Sequence, residues 1–486
     1  MNTVTAGTPV HTGPPQKPHA PRRPWLTPLL LRLHFYAGIL VGPFILIAAI
    51  SGGLYALTPI AERVVYAHEL RAQASDVQLS IGDQIRAAQS YVGADVALSA
   101  VRPAPEEGAT TRVLFVDPEL GASESRAIFV DPGTGEIRGD LPSYGSSGAL
   151  PLRTWIDQLH RSLHLGEVGR LYSELAASWL GIIALAGLGL WLVRYRKSRA
   201  KRDLVRPNLK HRGYRKTLSW HASLGVWVVL GALFLSATGI TWSQYAGGNV
   251  GSLRAALGGG TPSVSTSLDG AGSDGDEHAH HHGPVAAPTG EANPDTFDAM
   301  LAIAQRINVN TGFVEIAPPT APGQAWVVKE IQGHFPTEAD SVAINGSTME
   351  VVDRADFREF PVLAKLSRWG IDLHMGTLFG LANQIVLFLL AAGIATLVVL
   401  GYRMWWQRRP TRTSPVEFAR PPRRGAVRGA PWWGIALVLL VAVAVGWLLP
   451  LVGWTLVGFI VIDTVVGVVR GRREARGVKA PVARSP

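Results

Sequence analysis

Four histidines recur at matched positions along this chain, and imidazole is a side chain that binds metals at neutral pH. His34 lies near the start of the apolar run LRLHFYAGILVGPFILIAAISGGLY at 31–55, and His221 near the start of LSWHASLGVWVVLGALFLSATGITW at 218–242. Laid together without a gap, His34 falls on His221, Gly38 on Gly225, Ser51 on Thr238 and Gly52 on Gly239. A second pair shares the frame L-H-x5-G-x20-G-x3-W-x2-R. It passes through His160, Gly166, Gly187, Trp191 and Arg194 in one case, and His374, Gly380, Gly401, Trp405 and Arg408 in the other. The chain is therefore read as a duplicated unit of helix, extramembrane segment and helix, with each helix carrying one histidine in register.

An intramembrane histidine points to function by default. Two neutral imidazoles on facing helices can grip one haem iron from opposite sides. The first and third spans run in the same direction, so the halves are expected to be related by an axis along the membrane normal. That axis sets His34 opposite His221 near the inner face, and His160 opposite His374 near the outer face. Gly38 and Gly42 follow His34 at helical spacing, which leaves room for a flat macrocycle. The plainer reading is that the glycines are helix-packing surfaces and the histidines interfacial side chains. His164, one turn after His160, competes for the outer site, but its counterpart in the second half is Leu378, which cannot ligate. His160 is therefore assigned.

Other polar candidates stand apart from this set. His278, His280, His281 and His282 form a tract that can bind a transition metal or simply be solvated. His68, His211 and His334 have no evident partner. Arg153, Arg161 and Arg170 lie near the outer pair, where they can meet an anionic group or anchor the chain at headgroups; Trp191 and Trp405 read as interface anchors. There is no Gly-rich dinucleotide fingerprint, P-loop or HExxH, so any flavin or NAD(P)H would belong to a partner. With no cysteine in 486 residues, disulfides, cysteine-ligated clusters, c-type haem attachment and thiol catalysis are excluded.

The elements that must position these residues are apolar runs of about 20 residues, long enough to cross a bilayer. Six are expected: 30–57, 171–193, 219–243, 381–404, 432–450 and 452–470. The first lacks a small-residue cleavage site and reads as an uncleaved anchor. The net charge of +10 sits in loops, chiefly 194–216 and 403–428, so it is a topology signal and not a nucleic-acid footprint. It places both termini in the cytoplasm of a cytoplasmic (inner) membrane protein.

In order, the expected segments are a disordered tail (1–29), a first span (30–57), an external module (58–158), an interfacial segment with the second span (159–194) and a basic cytoplasmic loop (195–217). The third span (218–243), a flexible His-containing linker (244–292), a second external module (293–372) and an interfacial segment with the fourth span (373–405) follow. A second basic loop (406–430), a helical hairpin (431–470) and a cytoplasmic tail (471–486) complete the chain. Within the modules, helices are expected at 81–91 and 297–307, and strands at 111–116, 126–130, 136–138, 324–331 and 341–352.

The pattern R-x-H-x3-G…[ST]-G, the external D-P-x-T-G-E turn and L-H-R-S-L-x-L-G-E-x-G-R resemble the PepSY-associated transmembrane family over about residues 30–408. That family includes iron-regulated membrane proteins and siderophore-iron reductases. The resemblance implies an α-helical integral membrane protein with a four-helix core, two external α+β PepSY-like modules and, outside the resemblance, the terminal hairpin. It carries the family's haem ligands onto His34, His160, His221 and His374, implying two b-type haems per chain. It also implies a transmembrane ferric-siderophore reductase, with a quinol or a cytosolic reductase as electron donor and a ferric siderophore as acceptor. Reduction suits iron release, because hard oxygen chelators hold Fe(III) far better than Fe(II). The rival classes are a non-redox PepSY protein that binds peptide or restrains a protease, and a metal transporter.

Overall fold

The computed structural model describes residues 25–93, 95–268, 292–408 and 429–477. The tract His278, His280, His281 and His282 lies outside them, as do most of both tails and of the second basic loop.

The first apolar run forms two successive helices, α1 (Leu26–Leu40) and α2 (Gly42–Val65). The break comes at Val41, and Pro43 sits in the first turn of α2, where its missing N–H costs nothing. α2 continues past the expected boundary at 57, and the short α3 (Ala67–Leu70) follows. The remaining apolar runs form α6 (Gly166–Lys197), α8 (Gly213–Thr241), α12 (Gly380–Gln407), α13 (Trp432–Leu448) and α14 (Pro450–Gly477). Among the described residues, five stretches are long and apolar enough to cross a membrane: α2, α6, α8, α12 and Pro450–Val469 of α14. Against the six runs expected, α13 is apolar but shorter.

α2 packs on α12, α6 on α8, α8 on α12 and α1 on α6. Small residues permit these approaches, as membrane helices require. A Cβ on Gly53 would lie 3.3 Å from that of Ala391, and one on Gly393 would press on Val228 at 2.8 Å. The hairpin of α13 and α14 lies against the first half. Trp179 Nε1 donates to Thr455 Oγ1 at 3.0 Å, and Arg32 pairs with Asp463 at 3.0 Å.

The two α+β segments join into one eight-stranded antiparallel sheet, in the order β4-β3-β2-β1-β5-β6-β7-β8. The strands are β1 (Leu98–Arg102), β2 (Thr111–Phe115), β3 (Glu124–Val130), β4 (Ile137–Tyr144), β5 (Val314–Ala317), β6 (Trp326–Glu330), β7 (Ser341–Ile344) and β8 (Val351–Ala355). The sequence pattern missed β1 and β5, and these are the two strands that meet, Val101 opposite Ile316. It also merged β7 and β8, which a turn at Asn345–Glu350 separates.

Helices α4 (Ile81–Val92) and α10 (Thr296–Ile307) share one core with the sheet, built on Ile85, Phe115, Ile128, Phe297, Met300 and Ile344. Asp298 of α10 accepts from the backbone N–H of Ile81 and Gly82 at 2.9 and 3.1 Å, so one half caps the other's helix. At the seam, Glu315 pairs with Arg102 at 2.6 Å and Lys329 at 2.7 Å. Burial alone would raise the Glu315 carboxyl, but these two cations outweigh it and hold the group well below the usual carboxylate range. Arg112, on neighbouring β2, is pushed down to about 10 by burial and by the nearby charge of Arg102.

The expected flexible linker is partly ordered. Tyr245–Ala256 forms α9, whose first N–H groups, those of Tyr245 and Ala246, are held by the buried carboxylate of Glu174 at 2.9 and 3.1 Å. Two further helices, α5 (Pro151–Ser162) and α11 (Val362–Met375), lead the chain from the sheet to α6 and α12. A short α7 (Arg202–Val205) lies between α6 and α8.

Candidate functional site

His34 and His221 sit on α1 and α8, with ring centres 6.0 Å apart and planes at 77°. The His34 Nδ1–H donates to the carbonyl of Ile183 on α6 at 2.9 Å. Gly187, one turn further along α6, makes the approach possible, since a Cβ there would stand 2.9 Å from His34 Cε1. The second half is seated differently. The carbonyl of Leu397, at the position matching Ile183, lies near the His221 ring. Even so, His221 Nδ1 closes no hydrogen bond of good geometry and is a buried polar atom without a partner. A hydrogen bond weakens steeply with misalignment, so the Leu397 carbonyl holds this ring less firmly than the Ile183 carbonyl holds His34. A Cβ on Gly401, the counterpart of Gly187, would meet nothing within 4 Å.

Of the four histidines only His221 lies on one of the five stretches able to cross a membrane, which corrects the expectation of one histidine per span; His34 is on the shorter α1. His160 lies in the last turn of α5 and His374 in the last turn of α11. Each of these helices ends in a left-handed residue, Leu163 or Gly376, and the chain then turns into the following span. Gly166 and Gly380 have φ of +59° and +54° with open space around them. The glycine of the H-x5-G frame is thus a backbone requirement of that turn.

From these ends the histidines reach the spans α2 and α8. His160 Nδ1 is 3.0 Å from Ser51 Oγ, and His374 Nδ1 is 2.6 Å from Thr238 Oγ1. Each hydroxyl also bonds a carbonyl one turn back, Ser51 Oγ that of Ile47 at 2.8 Å and Thr238 Oγ1 that of Phe234 at 2.9 Å. The imidazole–hydroxyl bond runs in either direction according to the tautomer. Carbonyl-bonded His34 must donate from Nδ1, so its Nε2 keeps the lone pair that binds a metal.

The surroundings fix these rings further. A Cβ on Gly52 would touch His160 Cε1 at 3.0 Å. Tyr172 Oη donates to the His160 carbonyl at 2.6 Å, Asn383 Nδ2 to that of Leu373 at 2.9 Å, and Trp242 stands edge-on to His374 at 5.2 Å. Sequence reasoning had aligned Ser51 with Thr238 and Gly52 with Gly239 without assigning them a task, and the signal was the shared register.

His160 and His164 are placed differently. His164 lies beyond the helix end with φ +57°, exposed and with its ring tilted against Trp155 at 4.9 Å, so the two histidines do not share a helical face. Arg153 is buried, donating to Tyr55 Oη at 3.1 Å beside Glu62. Arg161 donates to Tyr144 Oη at 2.6 Å, and Arg170 to the Trp242 carbonyl at 3.3 Å. Trp191 holds the carbonyl of Leu204 at 3.0 Å, and His68 bonds the Arg138 carbonyl at 2.8 Å. Gly42 is a packing glycine, since its Cβ would lie 3.2 Å from Tyr402 Cε2, while Gly38 has no atom within 4 Å.

Residues 31–408 match the PepSY-associated TM region. The chain belongs to the PepSY-associated transmembrane family. Its apolar helices and this membership make it a multi-pass membrane protein. No curated protein matches it. Paired imidazoles are a donor set that can hold a transition metal or a haem iron. Two imidazoles binding one metal from opposite sides at about 2 Å hold their ring centres roughly 6 Å apart, which His34 and His221 meet at 6.0 Å. The open space at Gly38 and the unpartnered His221 Nδ1 mark room on that side. A different group, Glu330, Glu338 and Asp340, brings carboxylates within 4.8 Å of one another. There Glu330 already holds the N–H of Asn310 and Thr311, and Asp340 that of Phe357.

Proposed function

We propose that this PepSY-associated membrane protein is two copies of one helix–module–helix unit and carries electrons across the membrane on two b-type haems. His34 with His221 would hold one haem and His160 with His374 the other. The observation that carries the reading is the matched seating of the rings: Nδ1 of His34, His160 and His374 is each hydrogen-bonded to a group on a neighbouring helix, leaving Nε2 as the other ring nitrogen for a metal. Such outer hydrogen bonds fix ring orientation and raise ligand basicity.

Haem bound there supplies reversible one-electron chemistry. The chain's own part is to separate and orient the pairs. Thr238 follows His221 by about 17 residues on one helix, roughly 25 Å of rise, so the two pairs sit towards opposite ends of the bundle. Apolar packing around α2, α6, α8 and α12 excludes water between them. The sheet lies at the His160–His374 end, which makes it the natural docking surface for the acceptor. By family resemblance that acceptor is a ferric siderophore on the external side, and the donor at the other end is a quinol or a cytosolic reductase. The basic loop 194–216 puts that donor end in the cytoplasm of an inner-membrane protein.

Chain purified from haem-replete cells should be red. It should give a reduced-minus-oxidised spectrum of six-coordinate, low-spin haem b, with about two haems extracted per chain. A colourless preparation would refute the proposal.

A further inference from the structure

Between the end of α6 and the start of α8 lies a pocket of about 380 Å³, lined by Arg194, His211, Tyr214, Arg215 and Leu218. We propose that it binds the phosphodiester headgroup of an anionic phospholipid. The inference stands on this pocket alone and is independent of the haem reading.

Charge gives the first argument. Among the described residues, neither Arg194 nor Arg215 has a carboxylate partner. Asp203 is the only acid in 194–216, and Asn208 Nδ2 already occupies it at 2.8 Å. Two arginines lining one cavity, neither with a carboxylate partner among the described residues, suit a phosphate, whose oxygens accept paired N–H donors.

Position gives the second. Leu218 opens the apolar run of α8, and Arg194 follows the last apolar turn of α6, so the pocket straddles the level at which apolar side chains give way to basic ones. Trp220, exposed beside it, is of the type found at membrane interfaces. A headgroup in the pocket would leave its acyl chains along exposed apolar residues such as Leu192. Basic pockets between transmembrane helices take lipid headgroups by this arrangement. A soluble phosphate would gain nothing from the apolar side.

Tyr214, one of the lining residues, is held from behind. The Arg408 guanidinium stacks over Tyr214 at 5.9 Å and over Phe35 at 5.2 Å, tying the pocket to the residue beside His34. A bound phosphate therefore lies at the His34–His221 end of the bundle.

The test is native mass spectrometry of the full chain in neutral detergent, titrated with phosphatidylglycerol or phosphatidylcholine. Phosphatidylglycerol should be retained in preference. The R194Q/R215Q double variant should bind it roughly thirty-fold more weakly, on about 1 kcal/mol for each arginine. R196Q/R199Q removes two charges of the same loop outside the pocket and should bind as the parent does. R194K/R215K keeps charge but loses the forks and should fall between them, which covers the case of a misfolded glutamine variant. Equal retention of the two lipids, or equal loss in R196Q/R199Q, overturns the proposal. Displacement of phosphatidylglycerol by inorganic phosphate or ADP at similar concentration also overturns it, making the ligand a soluble phosphate.

Discussion

Ser51 and His160 are 109 positions apart in sequence, and their side chains meet at 3.0 Å, with Ser51 Oγ also 2.8 Å from the Ile47 carbonyl. Thr238 and His374 repeat the arrangement at 2.6 Å. Removing the hydroxyl frees the ring to rotate and to change tautomer. Ser51→Ala and Thr238→Val should each weaken retention of the haem at that end by about ten- to a hundred-fold, leaving the His34–His221 spectrum intact. Haem extraction with difference spectroscopy checks it, and equal loss at both ends would contradict the assignment.

The glycines facing the histidines should behave unequally. Gly187→Ala places a methyl 2.9 Å from the His34 ring and should distort the haem signal of that pair. Gly401→Ala, with nothing within 4 Å, should leave it unchanged. If both are silent, His34 is not a ligand held in this position.

His160→Ala should remove one haem per chain, and His164→Ala none. His164 sits beyond the end of α5 with its ring tilted against Trp155, whereas His160 is the histidine that meets Ser51. The reverse result would move the ligand to His164.

Glu315→Gln should destabilise the seam of the sheet by about 3 kcal/mol, because it leaves Arg102 buried with its partner charge removed. The pH dependence has a definite sign. The folded-state carboxyl titrates below its unfolded value near 4.5, so its contribution is complete above that pH and is lost as pH falls toward the folded value. Thermal melts at pH 7 and pH 3.5 should therefore show a smaller gap between parent and variant in acid.

The chain has no native cysteine, so single cysteines report topology cleanly. In intact cells, an impermeant thiol reagent should label Ser347→Cys in the sheet layer and spare Ala200→Cys in the basic loop. Labelling of Ala200→Cys alone would invert the proposed orientation.

The sequence by itself determined the family, the apolar runs and the four histidines, because all three are periodic or spaced signals that a linear reading preserves. The H-x5-G frame was legible as spacing, and its cause is now a left-handed turn at Gly166 and Gly380. Only the tertiary structure decided what completes each ring's environment. The partner of His34 is a backbone carbonyl on another helix, which has no side-chain signature at all. Ser51 and Thr238 were visible as a repeat but had no task until α5 and α11 folded back toward the spans. β1 and β5 were missed because each is short and buried, and the β1–β5 pairing that makes one sheet of two segments joins residues more than 200 positions apart. His164 leaves the face of His160 for a related reason: helical spacing holds only while the helix lasts, and α5 ends at Ser162.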